Sequence, residues 1–303
     1  MFMRNITYAM LFGDSIEDLF EISIPNPTSY DSPSLTFNEL QMSSFQLRNA
    51  SALFVRNMAM KVFLKAPLMP EDFARQSQLR EAHYAWYKAL QKLEHAACLK
   101  HEEEVMAASL KMGYYNTYIM VGCAMDARHT IFDAYLDYFK AINHNAKIVL
   151  DSMSIVTPSL PVSSGTRRGL SRKNIVASDR ASGSKNTPKA DSTTIKNLSG
   201  AHFTFEVSLI PSLHFVATRC RCPLVRREAV ALLKTNPPRE GFWDADTHIA
   251  VANRLIEVEE TNLDPRTGWP AASSRLSCSF PSGSAHSNGK IVVTFAFAEW
   301  GLA

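Results

Sequence analysis

A run of 40 residues near the middle of the chain, Pro161 to Gly200, holds no aromatic side chain and is rich in Ser, Thr, Lys and Arg. Its eight basic residues meet two acidic ones, Asp179 and Asp191, for a net charge of +6. A segment this poor in apolar surface cannot offset the entropy of ordering its backbone, so residues 159–200 are expected to be a disordered basic linker. Any folded structure must therefore come from the sequence on either side. The whole chain of 303 residues carries only +3, so the remainder is mildly acidic at −3. Bulk electrostatics give no argument for nucleic-acid binding.

Upstream of the linker the apolar residues keep helical time. Leu79, Ala82, Trp86, Ala89 or Leu90, and Leu93 recur at steps of three and four and form one stripe. A second helix is predicted over about 102–123, with Met106, Leu110, Gly113 or Tyr114, Thr117 and Val121 on one face. A third runs through Phe132, Tyr135 or Leu136, Phe139, Ile142, Ala146 and Val149, with Thr130 and Asp133 reading as its N-terminal signal. Looser helical spacing covers 37–64, and the prolines of Ser23–Ser34 mark a loop. Downstream, Pro223 opens one helix, Pro237-Pro238 closes it, and Asp244 caps the next, making an antiparallel hairpin. In that next helix Ile249, Ala252, Leu255 or Ile256, and Glu259 mark the spacing. The tail reads as two strands, Arg275 to Phe280 and Lys290 to Ala298, around a Gly/Ser-rich loop.

The fold class is accordingly mostly α: a bundle of antiparallel helical hairpins with a small C-terminal β-hairpin. Five regions are expected. They are a partly irregular N-terminal segment (1–70), a helical region (71–158), the basic linker (159–200), a helical hairpin region (201–265), and a loop with the β-hairpin tail (266–303).

The chemistry-bearing motifs are mostly missing. There is no G-x-S-x-G elbow, no H-E-x-x-H, no phosphate-binding loop and no dinucleotide fingerprint, so no catalytic residue and no enzyme are expected. Five scattered cysteines suit reduced thiols better than a disulfide framework. Cys220 and Cys222 sit one residue apart with no second pair, which is not a zinc spacing, so Cys220 is expected in the core. Met1–Gly13 lacks the features of a secretory leader, and no apolar run is long enough for a membrane span. Arg219, Arg221, Arg226 and Arg227 form a local cluster, and Arg226 and Arg227 are expected to form ion pairs or a solvated face, with Glu228 and Glu240 close by. Within the linker, Arg167, Arg168, Arg172 and Lys173 make a candidate nuclear import signal.

The ordered series "FTFEVSLIPSLHFVATRCR", "RREAVALL", "REGFWDAD" and "IEVEE" resembles the C-terminal regulatory region of fungal zinc-cluster transcription factors, whose DNA-binding module holds two zinc ions with six cysteines. "LREAHYAWYKALQKLE" and "YYNTYIMVGCAMDARHTIFDAYLDYFKAI" are similar to that family's upstream helices, so the resemblance spans about residues 70–265. The six-cysteine module has no counterpart here, and relative to the family the N-terminus looks truncated. The resemblance thus implies a nuclear regulator of transcription with no cofactor in this chain, zinc being expected only in the absent module. It also implies no direct DNA contact and no membrane. The partners would be the transcription machinery or a DNA-binding protein, and a homo-oligomer is compatible with it. The rival reading is a helical protein-interaction scaffold that never acts on DNA. An enzyme with a composite site ranks behind both.

Overall fold

The computed structural model describes residues 23–32, 35–96, 99–126, 128–156, 208–241, 243–281 and 293–297. The expected linker, its Arg167, Arg168, Arg172 and Lys173, and the Phe203–Val207 part of the motif series lie outside those residues. The protein is mostly helical, with seven α-helices among the described residues. They are α1 (Phe37–Phe63), α2 (Pro70–Ala96), α3 (His101–Cys123), α4 (Leu136–Val156), α5 (Leu209–Arg219), α6 (Pro223–Leu233) and α7 (Ala245–Glu259). None is long and apolar enough to cross a membrane.

Local chemistry sets the helix ends. Thr36 and Glu39 form a reciprocal capping box that starts α1. The helix stops where Lys65 takes a left-handed backbone, φ 52°. Pro70 then opens α2 with Glu71 and Asp72 in the first turn, where the helix dipole favours carboxylates. Asp72 accepts from Met69 N–H at 2.8 Å and from Lys61 Nζ at 2.6 Å, which ties the end of α1 to the start of α2. In α6 Pro223 takes the first helical position, and left-handed Asn236 (φ 59°) follows its end. Asp244 caps α7 by accepting from Thr247 N–H at 3.1 Å.

Two apolar clusters share one helix. Leu40, Leu47 and Phe54 of α1 pack with Leu79, Trp86 and Leu90 of α2. Phe139, Ile142, Ala146 and Val149 of α4 pack with Leu209, Leu213 and Val216 of α5, Ala229 and Leu233 of α6, and Ala252 and Ile256 of α7. Helix α3 lies between them. It gives Ala107, Tyr114 and Val121 to the first cluster and Ala108, Met112, Ile119 and Cys123 to the second. The sequence suggested one buried face for α3; the structure buries two, as befits a helix apolar nearly all round. Gly122 sits on α3 where a Cβ would collide with the Tyr135 phenol, including its Cζ at 2.8 Å. Gly122→Ala is expected to cost about 1–3 kcal/mol by overpacking, read as a lower urea midpoint at unchanged slope.

The start of the third predicted helix is corrected. Residues His129–Tyr135 form a 3-10 turn with Arg128 at its N-cap position, and the α-helix begins at Leu136. Thr130 therefore does not cap an α-helix, and Asp133 is committed to Arg221, as described below. Leu276, after the 3-10 turn Ala272–Ser274, is buried.

Candidate functional site

The motifs that run in order through residues 208–276 converge on one place. Arg221, Arg226 and Glu240 of the series find partners far along the chain.

The "REGFWD" turn does three jobs. Its Glu240 carboxylate accepts from the Leu209 and Ile210 N–H groups at 3.0 and 3.1 Å, and so caps α5 from 30 residues away. Glu240 and Trp243 exchange two backbone hydrogen bonds of 3.0 Å across the turn. Gly241 between them has φ 63°, and a Cβ there would meet nothing within 4 Å. The glycine therefore serves the left-handed backbone and not a close approach. Phe242 lies outside the described residues. Trp243 stacks on His248 at 4.5 Å, and His248 meets His214 of α5 edge-on at 4.7 Å. Trp243 packs against the second apolar cluster.

Below that turn lies a buried ionic knot. Arg226 of α6 and Glu259 of α7 are both fully buried. Arg226 Nη2 stands 2.9 Å from Glu259 Oε2, at ion-pair distance but without hydrogen-bond alignment. Arg275, 1 % exposed, donates from Nη1 to the same carboxylate oxygen at 2.6 Å and from Nη2 to the Arg219 carbonyl at the end of α5, 3.0 Å away. The Leu276 N–H donates to Glu259 Oε1 at 3.1 Å, and Ser274 Oγ donates to the Glu259 carbonyl at 2.9 Å. Burial holds the Arg275 guanidinium down to about 10, partly offset by Glu259, and it stays charged at neutral pH. One carboxylate thus joins α6, α7, the end of α5 and the segment leading to residue 276. Beside it Arg227 pairs with Glu260.

Arg221 makes a second tie. Its guanidinium binds Asp133 of the 3-10 turn, with Nε 2.9 Å from Oδ1, and Nη1 donates to the Pro270 carbonyl at 2.8 Å. Arg226 and Arg227 do form ion pairs, as expected, and their partners are Glu259 and Glu260. Glu228 accepts from Asn143 Nδ2 at 2.8 Å, Glu240 caps α5, and the arginines use Glu259, Glu260 and Asp133.

Cys220 is 2 % exposed, in the core as expected, and burial pushes its thiol up to about 12. Zinc does not fit here, since it takes a thiolate and a full ligand set. Among the described residues no three His, Cys, Asp or Glu side chains group as metal ligands. One nucleophile-and-base pair occurs elsewhere: Ser51 Oγ lies 2.8 Å from His83 Nε2 across the α1–α2 contact. Both are buried, and His83 packs against Tyr114 and Tyr118, so a substrate has no approach.

His83 and His214 also carry a pH prediction. Burial first, and Arg48 second, push His83 down to about 3. Burial, then His248, does the same to His214, also to about 3. Both bind protons far more readily when unfolded, near pH 6.5. Their contribution is therefore complete above about pH 6.5 and is lost as pH falls towards 3. Stability near pH 5 is expected to rise with pH by about 1.4 kcal/mol per pH unit for each histidine. Urea titrations between pH 7 and 4 read this slope, and a flat profile would refute it.

No family model matches the chain, and no solved structure matches it. Over 62 residues, 20% of this chain, it is 39% identical to the aspercryptin biosynthesis cluster-specific transcription regulator atnN of Emericella nidulans. The matched stretch spans 10% of that regulator's length. The chain thus contains a region similar to a fungal cluster-specific transcription regulator.

Proposed function

We propose that the chain is the regulatory region of a fungal transcription regulator of the zinc-cluster class, acting in the nucleus through protein partners and not as an enzyme. The observation that carries this reading is the 39% identity over 62 residues to a cluster-specific transcription regulator. The ordered motif series supports it, because Arg226, Glu259 and the Arg219 carbonyl meet in one knot while Glu240 of the turn caps α5. Arg226 and Arg275 are spent on Glu259, and Arg221 on Asp133, which leaves them unsuited to phosphate contacts. The DNA-binding step then belongs to a partner or a separate module, and zinc belongs there too.

In this reading 1–70, 71–158, 201–265 and 266–303 are successive segments, and the basic stretch 159–200 bears the import signal Arg167, Arg168, Arg172 and Lys173. Leu276–Pro281 and Val293–Phe297 are, in the same reading, the two strands of a β-hairpin; the antiparallel register of Leu276 with Phe297 and Phe280 with Thr294 supports it. A homo-oligomer remains compatible with the proposal.

The test tethers the chain to an unrelated DNA-binding module at a reporter in a filamentous fungus, with the location of the tagged chain followed in parallel. Reporter output should change at least severalfold, and Ala at the four basic residues should reduce nuclear entry. A tethered chain that leaves the reporter unchanged would overturn the regulatory reading and favour the scaffold. Unaltered nuclear entry would remove the import signal.

A further inference from the structure

Of the eight large apolar side chains exposed among the described residues, six lie between Met42 and Tyr84, on α1, α2 and their connection. Two of them face one groove. Phe73 and Tyr84, each 54 % exposed, lie about three turns apart on α2. With Arg80 and Tyr118 they line a groove of about 300 Å³. The groove is aromatic, with the basic Arg80 on its lining and Lys88 outside the lining beside Tyr84. Arg80 lies over the Tyr118 ring at 5.3 Å, and Lys88 Nζ lies 5.5 Å from the Tyr84 ring centre. Glu81 is the acidic group on its lining. A surface of this kind fits a peptide that brings both apolar side chains and negative charge.

The chain itself supplies such a peptide. Residues 14–22 read DSIEDLFEI, with four carboxylates (Asp14, Glu17, Asp18, Glu21) and no basic residue. Ile16, Leu19 and Phe20 fall at i, i+3 and i+4, and the four acidic residues at i, i+3, i+4 and i+7, which would place them on opposite faces of a helix. The segment also starts from the right place. Ile24 packs against the cluster formed by α1 and α2, and the 3-10 turn Pro27–Asp31 contacts α2 directly. Nine residues reach up to about 30 Å when extended, on the scale of α2 itself.

We propose that residues 14–22 dock in the Phe73–Arg80–Tyr84–Tyr118 groove of their own chain. Ile16, Leu19 and Phe20 meet the aromatic walls, and the flanking carboxylates meet Arg80 and Lys88. The proposal rests on the groove and on this segment, and stands whether or not the chain regulates transcription.

Hydrogen exchange on the full chain at low micromolar concentration tests it. Amides of residues 14–22 should exchange at least tenfold more slowly than an unstructured peptide. That protection should vanish in Phe73→Ser/Tyr84→Ser and equally in Leu19→Ser/Phe20→Ser. Far-UV circular dichroism checks that the first variant keeps its helices, as replacement of two exposed residues should allow. Carbodiimide coupling should also join Lys88 to Glu17, Asp18 or Glu21 with a yield independent of protein concentration. Unprotected amides in the unaltered chain, or protection indifferent to both double variants, would overturn the proposal. A coupling yield that rises with concentration would assign the groove to a second copy and overturn it as well.

Discussion

Glu259→Gln is expected to destabilise the protein by about 3–5 kcal/mol, the cost of leaving buried charges without their counter-ion. The substitution barely alters volume, so packing is not the cause. It removes the negative charge that Arg226 and Arg275 share at zero and 1 % exposure, leaving Arg226 only the more distant Glu260 Oε1 at 4.0 Å, and weakens the acceptor for the Leu276 N–H. Two guanidinium groups would then stand in the interior facing a neutral amide. Against a typical total stability of roughly 5–15 kcal/mol this loss is a large fraction. Two comparisons isolate the cause. Glu257→Gln, which breaks the exposed pair with Arg254, should cost less than about 0.5 kcal/mol. Replacing all three buried partners together, Arg226→Met, Glu259→Leu and Arg275→Met, should regain most of what Glu259→Gln loses, because no charge is then stranded. Guanidinium titrations followed by far-UV circular dichroism decide it. A Glu259→Gln midpoint indistinguishable from that of the unaltered chain would mean that the knot is not a structural tie.

The second large effect belongs to the other cluster. Trp86→Ala is expected to cost about 3–5 kcal/mol, from lost burial and from the cavity left behind. Trp86 is 1 % exposed and sits between α1 and α3. Its Nε1–H donates to the Leu40 carbonyl at 2.9 Å, and its ring lies 6.1 Å from that of Tyr114 at an interplanar angle of 24°. Trp86→Phe keeps most of the apolar volume and should lose much less, about 1–2 kcal/mol, reflecting one buried hydrogen bond and an imperfect fit. The ordering Ala well below Phe, and Phe below Trp, is the result to look for in urea midpoints. Equal losses for Ala and Phe would show that the hydrogen bond, and not packing, dominates.

Much of the fold was legible in the chain. Leu79, Ala82, Trp86, Ala89 or Leu90, and Leu93 keep the step of one stripe on α2; all are buried except Leu93, which is half-buried. Pro223 and Asp244 start helices as expected, because each acts on its own first turn. Cys220 is in the core. The knot was half visible. Glu259 keeps step with the buried Ala252, Leu255 and Ile256, and Arg226 keeps step with Ala229, Val230 and Leu233. A charged residue on the apolar stripe of each of two paired helices is the signature of a buried ion pair, since either alone would be prohibitively costly. Proximity in sequence points instead to Glu228 and Glu240, which are closer along the chain than Glu259.

Periodicity, caps and proline positions determined where the helices run, because those are interactions within a few residues of one another. Tertiary structure alone decided that α3 serves two clusters, that Glu240 caps a helix 30 residues earlier, and that Asp133 binds Arg221 instead of starting a helix. In each case a local preference competes with a partner brought close only by folding. Inside a desolvated core an unpartnered charge or N–H costs more than a lost cap, so the distant partner wins.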